Sequence, residues 1–193
     1  QALLASMAGM YAIYHGPEGL KRIARHIHSS AVLVSDKLEE MGYKQENKDY
    51  FDTLRVKLPE KVKADDIRKI ALEQEVNFYY VDEKTIGISF DEKTLVSDIN
   101  NILNIFATAL NKKAPKVSEI SDQQRFDKKY NRESEFLNMD LFHRYHSETS
   151  MMRYIKKLER KDYSLAHSMI SLGSCTMKLN ATTEMMPVSW PEL

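Results

Sequence analysis

A short polar segment near the end of this 193-residue chain has the groups needed to hold an anion. Residues 173–178 read GSCTMK, so two hydroxyl groups and a lysine lie close to a glycine. Hydroxyl groups, free backbone N–H groups and a lysine suit a carboxylate or a phosphate. The spacing and the missing second glycine exclude a Walker phosphate loop. The segment therefore indicates an anion contact, although chemistry alone does not define the ligand.

The same segment offers a nucleophile. Cys175 can act as a nucleophile with His167 as its base, but such pairs form in space and their sequence spacing does not establish them. The simpler interpretation is that Cys175 is a small residue in a tight backbone segment. It is the single cysteine, so no internal disulfide can form, which fits a reducing compartment.

The histidines give little support for a metal site. His143, His146 and Glu148 approach the spacing of metal ligands if this stretch is helical, but no further ligand follows at a fixed spacing. His26 and His28 are two residues apart in a predicted helix, so they face opposite ways and cannot share a metal. We therefore predict no metal site and assign these side chains to packing and polar contacts.

Helices and strands alternate through the first 110 residues and must position any site. Gly16 and Pro17 separate two helices, because proline starts a helix but does not continue one. Leu54, Val56 and Leu58 alternate with basic residues, which is typical of a half-buried strand. The predicted elements are helices over residues 2–14 and 17–41, a strand over 51–58, a helix over 64–75, strands over 76–81 and 85–90 joined by a turn, and a helix over 95–110. This order favours an α/β (α+β) fold in which two helices cover one face of a small antiparallel sheet.

The sequence contains few large apolar side chains in the 25 residues after residue 110. Residues 111–135 carry only Val117, Ile120 and Phe126 as large aliphatic or phenylalanine side chains. So little apolar surface does not offset the entropy of ordering, and we interpret the segment as a linker or as a strip laid over a partner surface. Ser147 is predicted to cap a further helix. The side chains of that helix predicted to face inward are Met151, Tyr154, Ile155 and Leu158.

Composition narrows the class of protein. Lys+Arg and Asp+Glu are both 28, so the net charge is zero and gives no case for binding nucleic acid or an anionic membrane. No apolar run approaches the roughly 20 residues that cross a bilayer. An uncapped apolar helix opens the chain and a possible new helix begins at Ser189, so both ends read as cut from a longer protein.

Several strings resemble the glycine dehydrogenase (decarboxylating) family, the P-proteins of the glycine cleavage system. The most specific is LGSCTMKLN at residues 172–180. The others are QALLA at 1–5, AIYHG at 12–16, GISFDE at 87–92, YHSET at 145–149, RY at 153–154, HSMIS at 167–171 and PVSW at 187–190. They span the whole chain in the family's order. Ser171 stands where the family pattern has proline, which changes loop stiffness rather than identity.

The resemblance implies a fold-type I pyridoxal-phosphate enzyme with two similar halves, of which the second carries the active site. It implies that residues 1–16 are a helix detached from its parent domain. Residues 17–110 would be the small C-terminal α/β domain of the first half, and 111–135 a linker. Residues 136–193 would begin the second half with a helix and an irregular arm.

The resemblance also implies the chemistry. The family decarboxylates glycine with pyridoxal phosphate and passes the aminomethyl group to a lipoyl carrier protein. The lysine that holds the cofactor lies beyond Leu193, so we expect no catalytic residue and no bound cofactor here, and an inactive chain by itself. By family position the edge of the pocket would be Ser174, Cys175 and Thr176, with Lys178 and Asn180 in support.

Partners and compartment follow from the same resemblance. The expected partners are the lipoyl carrier protein and the missing remainder of the chain, in a parent that forms a homodimer. Neither nucleic acid nor a membrane is expected. The location would be the cytoplasm of a bacterium or the mitochondrion of a eukaryote.

One alternative of another class stays open. The strand–helix–strand–strand–helix order of residues 51–110 also fits a ferredoxin-like regulatory module that binds an amino acid or a partner without catalysis. The order of elements does not separate the two interpretations. The strings in residues 145–180 favour the first.

Overall fold

The chain begins with a helical run that is interrupted once. The computed structural model describes residues 1–164, 167, 169 and 182–191. Helix α1 spans Ala2–Met41, and its backbone leaves helical geometry at Gly16, where φ is 61° and ψ is 179°. Pro17 follows directly, and it has no N–H with which to continue the preceding helix. The predicted break between two helices is confirmed.

The interruption coincides with the boundary between two compact units. One unit is Pro17–Leu137, and the other joins Gln1–Gly16 to Asn138–Leu193. The second unit is thus assembled from two stretches that are distant in sequence. The domain assignment implied by the family resemblance concerns a longer protein and stays a prediction.

The Pro17–Leu137 unit is built on a four-stranded antiparallel sheet. Its strands are β1 (Lys44–Gln45), β2 (Thr53–Lys57), β3 (Tyr79–Asp82) and β4 (Thr85–Ser89). They lie in the order β1-β2-β4-β3. The pairing of β3 with β4 runs down to Asp82 and Thr85, which confirms the predicted hairpin turn. The two-residue β1 was not predicted, because so short a strand gives no alternating pattern.

Two shorter helices join α1 on the sheet. They are α2 (Ala64–Glu73) and α3 (Val96–Ala109). Asp66 and Asp98 each accept a hydrogen bond from the N–H of the residue that precedes the helix, at 3.0 and 2.7 Å. Such a carboxylate in the first turn satisfies a donor at the helix start and complements the positive end of the helix dipole.

The core lies between these helices and one face of the sheet. Leu54 and Val56 are buried while Thr53, Arg55 and Lys57 are exposed, which confirms the predicted alternation in β2. Burial of one large apolar side chain contributes roughly 1.5–3 kcal/mol. The largest fully buried apolar side chains are Phe106, Leu38, Leu54, Ile67, Ile86, Ile99, Leu103 and Ile105.

The chain after α3 returns along this same unit as a strap, which we define as residues 111–127. Val117 in the strap is buried, and its N–H and carbonyl are both bonded to the side-chain amide of Asn100, each at 2.9 Å. At its start the ammonium group of Lys112 donates to the carbonyl of Met41 at 2.9 Å. This mostly polar segment is therefore held by hydrogen bonds to α1 and α3 together with the burial of Val117.

The other unit contains the first part of α1 and the elements after residue 137. These are a 3-10 turn at Asp140–His143, helix α4 (Glu148–Glu159), helix α5 (Thr182–Met185) and a 3-10 turn at Met186–Ser189. Ser147 caps α4 by accepting the N–H of Ser150, as predicted. Tyr145 stacks on Tyr154 with ring centres 4.3 Å apart.

Two apolar side chains that fall within predicted helices face solvent, and one of them, Ile155, was predicted to face inward. Leu95 is 61% exposed because it precedes the first turn of α3 rather than lying within it. Ile155 is 42% exposed, whereas Met151 is buried. Helical spacing alone did not show that Ile155 would be exposed, because this residue borders the apolar stripe of α4.

Candidate functional site

The segment with the strongest chemical signal lies outside the described residues. It contains the predicted pocket edge, namely Ser174, Cys175, Thr176, Lys178 and Asn180. His167 is described, and its Nδ1 lies 2.7 Å from the Oγ of Ser164 in an exposed turn. The predicted pairing of this histidine with Cys175 stays a prediction.

A groove on the Pro17–Leu137 unit gathers two guanidinium groups. Its volume is about 250 Å³, and it is lined by Arg22, Arg25, His26, Ser29, Ile120 and Asp122. The four residues from α1 are spaced by three or four positions, which places them on one face of the helix. The strap supplies the other two residues and closes the groove from the opposite side.

Hydrogen bonds fix two side chains that line the groove. The Nε2 of His26 lies 2.8 Å from the carbonyl oxygen of Thr94. A carbonyl only accepts, so this ring nitrogen carries a proton and donates it. The hydroxyl of Ser29 donates to the carbonyl of Gln123 at 3.1 Å and accepts the N–H of the same residue at 2.9 Å. The groove therefore has a preformed wall beside its two exposed arginines.

The chemistry available in the groove is anion binding. Guanidinium groups bind carboxylates and phosphates through paired N–H donors, and Asp122 offsets part of the positive charge. The sequence analysis did not identify this groove, because Ile120 and Asp122 reach α1 only through the path of the strap. The available signal was the placement of Arg22 and Arg25 on the helical face that also carries His26.

His28 is a structural histidine. Its Nδ1 donates to the carbonyl of Phe51 at 2.8 Å, and its Nε2 accepts the N–H of Arg125 at 2.9 Å. Because one nitrogen must donate and the other must accept, the ring is neutral with its proton on Nδ1. The ring is buried and parallel to that of Phe51. His26 and His28 therefore have different partners, as their spacing predicted.

An ion pair anchors the end of the strap next to this histidine. The guanidinium group of Arg125 donates to both carboxylate oxygens of Asp36. The hydrogen bond to Asp36 raises the pKa of Arg125 above its ordinary value. Burial raises the pKa of the neighbouring Tyr50 phenol, so both groups keep their protons at neutral pH. The cluster serves packing rather than proton transfer.

His143, His146 and Glu148, whose spacing approaches that of metal ligands, are not grouped so that they can hold a metal ion. His146 uses its Nδ1 in a 2.7 Å contact with the carbonyl of Tyr14. Among residues 1–164, 167, 169 and 182–191, no three His, Cys, Asp or Glu side chains are grouped so that they can hold a metal ion. Over the same part of the chain, no helix has the length and apolar content needed to cross a membrane.

The chain matches a known protein family and several curated proteins along its sequence. Residues 1–106 match the family described as glycine cleavage system P-protein. Curated relatives named glycine dehydrogenase (decarboxylating) align over the chain: 54% identical over 192 residues in Bacteroides thetaiotaomicron, 54% over 191 in Flavobacterium johnsoniae and 46% over 199 in Nostoc sp..

These alignments cover 99–100% of the chain but only 20% of each relative. The chain thus spans about a fifth of the length of the curated relatives that it matches. The aligned residues extend through both compact units, at an overall identity of 46–54%. The chain therefore belongs to the glycine cleavage system P-protein family.

Proposed function

We propose that this chain is a segment of a glycine dehydrogenase (decarboxylating) and contributes scaffold and one wall of its substrate pocket. The observation that carries the proposal is the 54% identity to relatives of that name over 191 and 192 residues, which is 99–100% of the chain. The parent would decarboxylate glycine and pass the aminomethyl group to a lipoyl carrier protein. Because the segment covers a fifth of such a relative, we expect it to be inactive by itself.

The proposed cofactor is pyridoxal phosphate, which when bound supplies an electron sink for the loss of carbon dioxide from glycine. The donor set of residues 174–180 fits such a site, because its hydroxyl, ammonium and amide groups hold carboxylates and phosphates. Ser174 and Thr176 would orient the substrate carboxylate through hydrogen bonds, with Cys175 between them. Lys178 and Asn180 would support this edge from the next residues of the chain.

We place the elements within the parent as follows. Residues 17–110 would form the small domain of the first half of a fold-type I enzyme, and 111–135 would connect the halves. Residues 136–193 would open the second half, and residues 1–16 would pack on a domain outside this chain. The continuous match from 1 to 106 and the small sheet covered by helices support this placement.

The remaining partners follow from the same proposal. The parent would be a homodimer that receives the lipoyl carrier protein, in the bacterial cytoplasm or, for a eukaryote, in the mitochondrion. The quoted relatives are bacterial, which favours the first location.

A chimera tests the proposed function. The aligned fifth of the Bacteroides thetaiotaomicron relative is replaced by these 193 residues, and release of carbon dioxide from glycine is measured. We expect an active chimera and an inactive 193-residue chain. Thr176→Val in the chimera should raise KM for glycine, while Lys61→Met on an exposed loop should leave it unchanged. A properly folded chimera without activity would contradict the proposal.

A second candidate function is amino-acid binding by the Pro17–Leu137 unit. It is favoured by the arginine-lined groove and by the β1-β2-β4-β3 order, in which β2 and β3 flank β4 as in a ferredoxin-like sheet. Calorimetry with glycine or serine tests it on the 193-residue chain. Binding that is lost in Arg25→Gln would establish this function, and the absence of heat would exclude it.

A further inference from the structure

The carbonyl of Tyr14 lies in the last turn before the interruption of α1 at Gly16. Carbonyl groups at the end of a helix lose their regular intrahelical partners and need other donors. His146 supplies one, since its Nδ1 lies 2.7 Å from this oxygen. The carbonyl can only accept, so the histidine donates from Nδ1 in either its neutral or its charged form.

The same imidazole ring covers the α-carbon of Gly16. A Cβ atom built on Gly16 would lie 2.6 Å from Cε1 of His146 and 2.6 Å from the carbonyl oxygen of Phe142. Real Cβ atoms do not approach other heavy atoms so closely, and a φ of 61° already disfavours every residue with a Cβ. We define the His146 latch as Tyr14, Gly16, Phe142 and His146.

The latch directly precedes the start of α4. Ser147, the next residue, accepts the N–H of Ser150 with its hydroxyl and so sets the first turn of the helix. Tyr145, the residue before the latch histidine, stacks on Tyr154 one turn further along the helix. His146 therefore lies directly between two residues that contact α4, because Tyr145 stacks on Tyr154 and Ser147 caps the helix.

We propose that His146 is a positioning residue that sets the register of residues 138–159 on the helix formed by residues 2–15. The segment that follows α4 contains the residues assigned to the pocket edge, so the latch would determine where that edge begins. This last step, and only this step, rests on the proposed function. His146 would act through α4 and would not touch the substrate.

Two substitutions of similar size separate the hydrogen bond from mere bulk. The side-chain amide of asparagine can place a donor where Nδ1 of histidine lies, whereas glutamine carries its amide one methylene farther out. The 193-residue chain is compared as wild type, His146→Asn, His146→Gln and His146→Ala, with Lys157→Ala as the control on an exposed face of α4. The readouts are amide hydrogen exchange of residues 150–154 and the ¹⁵N shifts of the histidine ring.

We expect a protonated Nδ1 on His146 in the wild type and at least tenfold faster exchange in His146→Ala and His146→Gln. His146→Asn should keep most of the protection, and Lys157→Ala should keep all of it. Unchanged protection in His146→Ala, or equal loss in the asparagine and alanine variants, would overturn the proposal.

The chimera supplies the catalytic readout. His146→Ala should raise KM for glycine at least threefold, with recovery in His146→Asn. An active chimera that His146→Ala leaves unaltered would refute the positioning role. An inactive chimera whose isolated 193-residue chain still shows the exchange pattern would instead refute the proposed function and leave the latch in place.

Discussion

Gly9 and Gly16 lie in the same helical run, but only the second position needs a residue without a Cβ atom. A Cβ atom on Gly9 would meet nothing within 4 Å, whereas one on Gly16 would meet the latch histidine and a backbone carbonyl. Glycine in a regular helix costs about 0.5–1 kcal/mol relative to alanine. At a positive φ the preference reverses, because only glycine avoids the clash between Cβ and the following carbonyl.

Substitution of these glycines by alanine should therefore give effects of opposite sign. We expect Gly9→Ala to stabilise the chain by about 0.5 kcal/mol. Gly16→Ala should destabilise it by about 2 kcal/mol or more through strain and steric overlap. Urea unfolding measures both free energies. His146→Ala should not rescue Gly16→Ala, since the Phe142 carbonyl would remain 2.6 Å from the new Cβ. Full rescue would show that the ring alone makes the position tight.

Buried tyrosines make stability depend on alkaline pH. The hydroxyl of Tyr43 donates to the carbonyl of Phe106 at 2.8 Å, and burial raises the pKa of this phenol well above its usual range. Burial also raises the pKa values of Tyr50 and Tyr80. Their stabilising contribution is complete below the ordinary tyrosine pKa of about 10 and declines as pH rises, because the unfolded chain ionises first.

We expect the free energy of unfolding to fall above about pH 10, by at most about 1.4 kcal/mol per pH unit for each such phenol. Tyr43→Phe should be less stable at neutral pH and should lose less stability between pH 10 and 11. Tyr79→Phe, on a 73% exposed side chain, serves as the control. Equal alkaline slopes for wild type and Tyr43→Phe would contradict the burial argument.

At the scale of elements, the sequence predicted those helices and strands in which a regular pattern of apolar and polar residues marks the buried face. Buried and exposed residues alternate along β2, and the second part of α1 places Ala31, Val34, Leu38 and Met41 in the core at three- and four-residue spacing. The strap was not predictable in this way. Its hydrogen-bond partners are polar groups of α1 and α3, and no periodicity in residues 111–127 reveals them.

The bond between Asn100 and Val117 is the central support of the strap. One side-chain amide satisfies a backbone donor and a backbone acceptor that are otherwise buried with Val117, and loss of such partners costs about 1–3 kcal/mol. Asn100→Ala should lower stability by about 2 kcal/mol and speed proteolysis within residues 111–127. Asn104→Ala on α3 is the control. Cleavage at the wild-type rate in Asn100→Ala would show that the other contacts of the strap, including the ion pair of Arg125, are enough to hold it.

The candidate site also has one part that the sequence indicated and other parts that only the structure revealed. The string LGSCTMKLN pointed to the family without any geometry, and the pocket edge that the resemblance implies there stays a prediction. The arginine groove and the His146 latch became visible only in three dimensions, since each joins stretches far apart in the chain. His146 was recognised as part of a family string, yet its donor role depends on a carbonyl that no sequence pattern marks.

At the scale of the whole molecule, the exposed apolar side chains at the start of α1 lead us to expect self-association. Leu3, Leu4 and Met7 are each more than half exposed. A cluster of exposed large apolar residues on one helix is a site of association.

We expect concentration-dependent self-association of the 193-residue chain in sedimentation velocity experiments. Leu4→Ser with Met7→Ser should shift the distribution towards monomer, because the association would lose its apolar contact. Leu72→Ser, at an exposed apolar position on α2, is the matched control. A wild-type chain that stays monomeric at high concentration would contradict this expectation.

The two borders of the sheet determine what kind of aggregate this chain can form. β1 offers two residues and β3 four, and Asp82 places a carboxylate at the end of the latter. Strand ends so short and charged are poor templates for a further chain. Aggregates of this chain should therefore consist of folded molecules that associate through exposed apolar side chains. Such aggregates should bind little thioflavin T and keep a helical circular dichroism spectrum.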